Sequence, residues 1–93
     1  LEPIALPPAT PEALLGRVAA GDRAAFRQLY DATAPRLHGL ALRLLQHTPS
    51  AEEVVQEVFL AVWRHAGTFD PERGLALPWM ARILRNRVAD RRR

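Results

Sequence analysis

Apolar residues recur at helical spacing along most of this 93-residue chain, and nowhere do they alternate as in a half-buried strand. Leu14, Leu15 and Val18 predict a short helix over residues 11–20, with Pro11 acceptable in its opening turn. Gly21-Asp22 closes that element and opens the next, since aspartate is a good N-cap. Phe26, Leu29 and Tyr30, continued by Leu37, Leu40, Ala41, Leu44 and Leu45, give a long stripe over residues 22–46. Pro35 falls inside it. A proline removes a donor and crowds the carbonyl one turn back, so a kink or break is expected near Thr33. Thr48-Pro49 reads as a stop and turn. Ser50, with Glu53 three residues on, forms a capping box that opens a helix to about His65. Ala66-Gly67-Thr68 ends that helix, residues 67–77 form a loop, and Pro78 takes the first position of a last helix running to the end. Residues 1–10 hold three prolines and read as a flexible tail. The pattern therefore predicts an all-α fold: a compact bundle of about four helices over residues 11–93.

Two of these helices sort their residues sharply at about 100° per residue. In the third, Val54, Val55, Val58, Phe59, Val62 and His65 share one side. Glu53, Gln56, Glu57, Leu60 and Arg64 share the other, with Trp63 at the flank. The second set is either a solvated face or, given a leucine and a tryptophan among carboxylates, an interface. In the last helix Trp79, Met80, Ile83, Leu84 and Val88 lie together, with Arg87 on their side, where it is expected to snorkel or pair with a carboxylate. Arg82, Arg85, Asn86, Ala89, Arg92 and Arg93 lie opposite.

Charge sharpens this division. Residues 50–70 carry Glu52, Glu53, Glu57 and Asp70 against Arg64, a local charge of −3. Residues 71–93 carry seven arginines against Glu72 and Asp90, a local charge of +5. Arginine contacts phosphates and reads guanine, and asparagine can read adenine. The plainer reading is that arginines near a helix C-terminus offset its dipole and keep the domain soluble. The chain has no lysine. Arginine's planar fork suits phosphates and base edges, while genomic codon bias produces the same pattern.

Composition excludes other chemistries. There is no cysteine, so neither a disulfide framework nor a thiolate site is available. No apolar run is long enough to span a membrane, and no membrane partner is expected. His38, His47 and His65 lack metal-ligand spacing, and no Gly-rich phosphate loop is present, so neither catalysis nor a cofactor is expected. The loop before the last helix carries Phe69, Asp70, Arg73 and Leu75, with Trp79 just beyond. Stacking surfaces and hydrogen-bonding groups of this kind can receive an unpaired base. The plainer reading of Phe69 is a core plug closing the loop, and Trp79 fits either role. The Leu1 start and the Arg91-Arg92-Arg93 end predict that the chain is an excised piece of a longer protein.

Several motifs in order resemble those of an extracytoplasmic-function (group four) bacterial sigma factor. They are Gly21-Asp22-Arg23-Ala24-Ala25-Phe26-Arg27-Gln28-Leu29-Tyr30, then Leu40-Ala41-Leu42-Arg43-Leu44-Leu45, then the run from Ala51 to Trp63. Phe69-Asp70, Arg73-Gly74 and the series Trp79, Ile83, Asn86, Asp90 follow, so that residues 12–93 are covered. The resemblance implies region two, the σ2 domain, working in the cytoplasm. Its third helix would dock on the clamp helices of the RNA polymerase β′ subunit through Glu53, Gln56, Glu57, Leu60 and Trp63. Its loop and last helix would recognise and help melt the promoter minus-ten element, capturing a flipped non-template base. Phe69, Arg73, Leu75, Trp79, Arg82, Arg85 and Asn86 would be on that side. A cognate anti-sigma factor is a further implied partner. The second DNA-binding domain of the family, which reads the minus-thirty-five element, is absent from this sequence. Housekeeping members carry an aromatic cluster where this chain has only Trp79, so weaker melting is expected, and Leu75-Ala76-Leu77 is more apolar than the family pattern. The alternative reading is a helical protein-interaction module with a solubilising basic C-terminus.

Overall fold

Thr10 accepts a hydrogen bond from the Ala13 amide at 3.1 Å, which caps helix α1 (Pro11–Ala19). The computed structural model describes residues 9–92; most of the expected tail, and Arg93, lie outside the described residues. The end of α1 is a Schellman turn. The Gly21 amide donates to the Val18 carbonyl at 2.9 Å, and the Asp22 amide to the Arg17 carbonyl at 3.0 Å. Gly21 has φ 89°, which a side chain would strain. Asp22 then caps α2 (Arg23–Leu45): one carboxylate oxygen takes the Ala25 amide at 3.0 Å, and the other takes the Arg17 guanidinium at 2.9 Å.

Helix α2 runs unbroken through Pro35, against the expectation of a kink or break near Thr33. Leu29, Thr33, Leu37 and Ala41 form one buried stripe on both sides of the proline, and α2 packs against all three other helices. Burial along the whole stripe outweighs the loss of one backbone bond. Asp31, whose carbonyl Pro35 leaves unserved, is exposed, so water can satisfy it. Thr33 is 1% exposed, and its hydroxyl donates to the Leu29 carbonyl at 2.7 Å and is thereby satisfied.

Helix α3 (Thr48–His65) starts earlier than expected. Its cap is His47, whose Nδ1 accepts from the Ser50 amide at 3.2 Å, with the Ser50 hydroxyl 2.8 Å away. Thr48-Pro49 is thus the first turn of the helix and not a stop, because a proline there removes an amide that needs no helical partner. A 3₁₀ turn, Ala66–Thr68, follows, and α4 (Ala76–Arg91) begins at Ala76, two residues before Pro78. No strand occurs among the described residues. Val54, Val58, Val62, Leu15, Leu29, Leu37, Met80 and Leu84 fill the core, as the apolar stripes predicted. Each contributes about 1.5–3 kcal/mol through burial. His65 is a correction: it is exposed, and Ala66 takes the buried position after Val62.

Candidate protein-docking and nucleic-acid interfaces

The outer side of α3 is a ridge with two flanks. Leu60 stands at the crest, 57% exposed, with Trp63 beside it at 38%. Trp63 is held edge-on against Phe26 of α2, with ring centroids 5.3 Å apart. Phe26 in turn meets Phe59 at 6.1 Å, and Tyr30 meets Phe59 at 4.7 Å. Such aromatic pairs fix ring orientation beyond simple burial. The ridge therefore presents preset apolar groups. Gln56 faces α2 across a notch lined by Tyr30, Asp31, Pro35, His38 and Glu52. The five α3 residues expected on a docking face thus share one side of the helix, but they do not form a uniform patch.

The other flank faces α4. Arg91 donates to Glu53 at 3.0 Å and to Glu57 at 3.1 Å, bridging carboxylates one turn apart. These two hydrogen bonds, that to Glu53 foremost, hold its guanidinium even more firmly protonated than usual. The acid of this flank is thus partly met inside the chain. The sequence offered no local sign of this clasp, since its partners lie 38 and 34 residues apart. Arg92 donates to the Leu44 carbonyl near the end of α2 and secures the same end of α4.

A second surface lies at the other end of α4. Phe69 and Trp79, both half-buried, meet edge-to-face with centroids 5.4 Å apart. They form the inner wall of a cavity of about 320 Å³, bordered by Arg73, Leu75 and Arg82. Phe69 both closes the loop, as one reading expected, and lines this cavity. Asp70 shapes the loop. Its carboxylate accepts from the Glu72 amide at 2.9 Å, its carbonyl accepts from the Arg73 amide at 3.0 Å, and its side chain pairs with Arg73 at 3.6 Å. Leu75, 64% exposed, projects as an apolar rim.

Five of the seven residues expected on a nucleic-acid surface thus border one cavity, and two do not. Asn86 lies in the adjoining groove between α3 and α4 with Ile83, Arg87 and Asp90, linked to the cavity through Trp79. Arg85 lies on the far flank of α4, in a groove with Leu44, Val88 and Arg92. Arg87 is a correction. It pairs with no carboxylate among the described ion pairs and stands exposed beside Asn86, in the same groove as Ile83. Ile83, one turn earlier, is only half-buried, so Arg87 follows the edge of the apolar face and not its centre. No helix of the described residues is long and apolar enough to cross a membrane, and no metal-holding cluster of His, Cys, Asp or Glu occurs among them.

Residues 29–93 match the family described as Sigma-70 region 2. Among curated relatives, the "ECF RNA polymerase sigma factor SigK" of Mycobacterium tuberculosis (strain ATCC 25618 / H37Rv) is 46% identical over 80 residues, which cover 86% of this chain and 43% of that protein. The protein of the same description from Mycobacterium sp. (strain KMS) is 38% identical over 92 residues, covering 97% of this chain and 48% of its own length. The chain therefore spans less than half the length of these relatives.

Proposed function

This chain belongs to the sigma-70 region 2 family, as a region-two domain of the extracytoplasmic-function kind, and from that premise we propose that it joins RNA polymerase core to promoter DNA at the start of transcription. The α3 ridge docks on the β′ clamp helices through Leu60, Trp63 and Gln56, with Glu53 and Glu57 on its flank. The Phe69–Trp79 cavity receives a base of the non-template minus-ten strand, and Arg73 and Arg82 at its border hold the neighbouring phosphates. The domain works in the cytoplasm and has no catalytic role; an anti-sigma factor is its further partner.

The observation that carries this reading is the segregation of the two surfaces. An acidic, apolar-crested ridge on α3 and an arginine-bordered aromatic cavity at the start of α4 sit on one packed bundle. A domain with a single protein partner does not need the second. Arginine near an aromatic wall combines phosphate attraction with base stacking, the usual pairing in single-strand sites.

The test uses the chain assembled with polymerase core. Gln56→Ala with Leu60→Ala is the cleaner docking probe, because Glu57 also holds Arg91 and its loss disturbs α4. The double change is expected to weaken core binding about thirtyfold, two interface contacts of roughly 1 kcal/mol each, at unchanged helicity. The assembled complex is expected to prefer a minus-ten non-template oligonucleotide to a scrambled one. Equal affinity for the two strands leaves only the interaction-module reading.

A further inference from the structure

We propose that Glu12 is a positioning residue for the nucleic-acid cavity: from α1 it anchors the first turn of α4 and so sets the edge of the cavity formed by Gly74 and Leu75. The proposal rests on the reading of that cavity given above.

Helix α4 opens without a cap of its own. Its N-cap is Leu75, whose side chain can accept nothing, and Pro78 in the first turn has no amide to offer. The Ala76 amide is left at the helix start, and Ala76 is 0% exposed. A buried amide without a partner is costly. Its partner is the Glu12 carboxylate, 64 residues away in sequence, which accepts from it at 2.7 Å. That distance suits a charge-assisted bond. Glu12 also sits in the first turn of α1, so one anion lies at the positive ends of two helices.

The position of α1 makes this contact consequential. Besides meeting α4, α1 packs on the 3₁₀ turn Ala66–Thr68 that leads into Phe69. It therefore touches the chain on both sides of the cavity: before Phe69 on the inner wall, and after Leu75 on the rim. The loop between, from Asp70 to Gly74, is exposed throughout, and among the described residues it is otherwise tied down only by its own turn bonds and the Asp70–Arg73 pair. Glu12 is the long-range hydrogen bond at its exit. It lies outside residues 29–93, which match the family, so the match assigns it no role.

Wild type, Glu12→Ala and Glu12→Gln are compared as complexes with polymerase core. Three measurements are made: affinity for a minus-ten non-template strand and its scrambled counterpart, hydrogen exchange at the Ala76 amide, and core affinity. Glu12→Ala is expected to lower affinity for the minus-ten strand about fivefold, the factor a typical lost cap converts to, with little change for the scrambled strand. Ala76 exchange is expected to speed up while core affinity holds. Glu12→Gln keeps an acceptor oxygen and is expected to restore most of the discrimination, which simple loss of packing would not predict. It also carries the test should Glu12→Ala fail to fold: a slight acceleration of Ala76 exchange with partial loss of discrimination supports the role. Undiminished discrimination in the variants, beside a discriminating wild type, overturns the role of Glu12 alone. A wild-type complex that does not discriminate overturns the reading of the cavity itself.

Discussion

Replacing Asn86 and Arg85 separately distinguishes reading DNA from gripping it. The two are neighbours in sequence but about 100° apart on α4, and they face different grooves. Both are exposed, so truncation to alanine is expected to change stability by only about 0.5 kcal/mol either way. Loss of binding can then be assigned to lost contact and not to unfolding. If Asn86 meets a base edge, its removal costs roughly 1–3 kcal/mol on the minus-ten strand, about 5- to 150-fold in affinity, and much less on a scrambled strand. Arg85, on the far flank with Arg92, is suited to phosphate, which carries no sequence information. Arg85→Ala is expected to weaken both strands together and to flatten the salt dependence, lowering the log–log slope by about 0.7. The assay is fluorescence anisotropy of labelled cognate and scrambled single strands at several salt concentrations, for the wild-type complex and each variant. Equal losses on both strands for the two variants, with equal changes of slope, would refute a reading role for Asn86.

Two further changes test the scaffold. Pro35→Ala is expected to stabilise the domain by about 1–2 kcal/mol, since it returns an amide to the Asp31 carbonyl inside an unbroken helix and loses only some stiffness of the unfolded chain. Thermal unfolding is expected to shift upward by about 4–8 °C per kcal/mol, and a fall in the midpoint would mean that the proline ring packs usefully at the α2–α3 notch. At the α1–α2 junction, the Ala25 amide and then Arg17 hold the Asp22 carboxyl below the usual range. Its contribution is therefore complete above the unfolded value and is lost as pH falls through the lower folded value, that is, below about pH 4. Urea midpoints measured from pH 7 to 3 are expected to fall less steeply for Asp22→Asn than for wild type; parallel curves would show that another carboxylate governs the acid limb.

The helices were legible because their signals are local. Leu14, Leu15 and Val18 mark α1 within one turn, Asp22 caps α2 through an amide three residues on, and the valines of α3 fall on one side at helical spacing. The misreadings were also local rules overruled by context. Pro35 is a helix breaker until burial along the whole α2 stripe holds both halves in line. Ser50 with Glu53 looked like a capping box, yet His47 supplies the acceptor, a role that residue preferences do not favour.

For the two surfaces, the order of residues along the chain was enough to separate an acidic ridge from an arginine-rich end, because helical periodicity assigns each residue a side. It could not say which side chains meet across helices. Glu12 with Ala76 and Arg91 with Glu53 and Glu57 span 64, 38 and 34 residues, and Arg92 reaches the Leu44 carbonyl across 48. The tertiary packing also divided the expected nucleic-acid residues, bringing Phe69, Arg73, Leu75, Trp79 and Arg82 to one cavity while turning Asn86 and Arg85 into separate grooves. Periodicity fixes an angle about one helix axis, whereas a cavity is set by how neighbouring elements are placed around that helix, and only the closed core determines that placement.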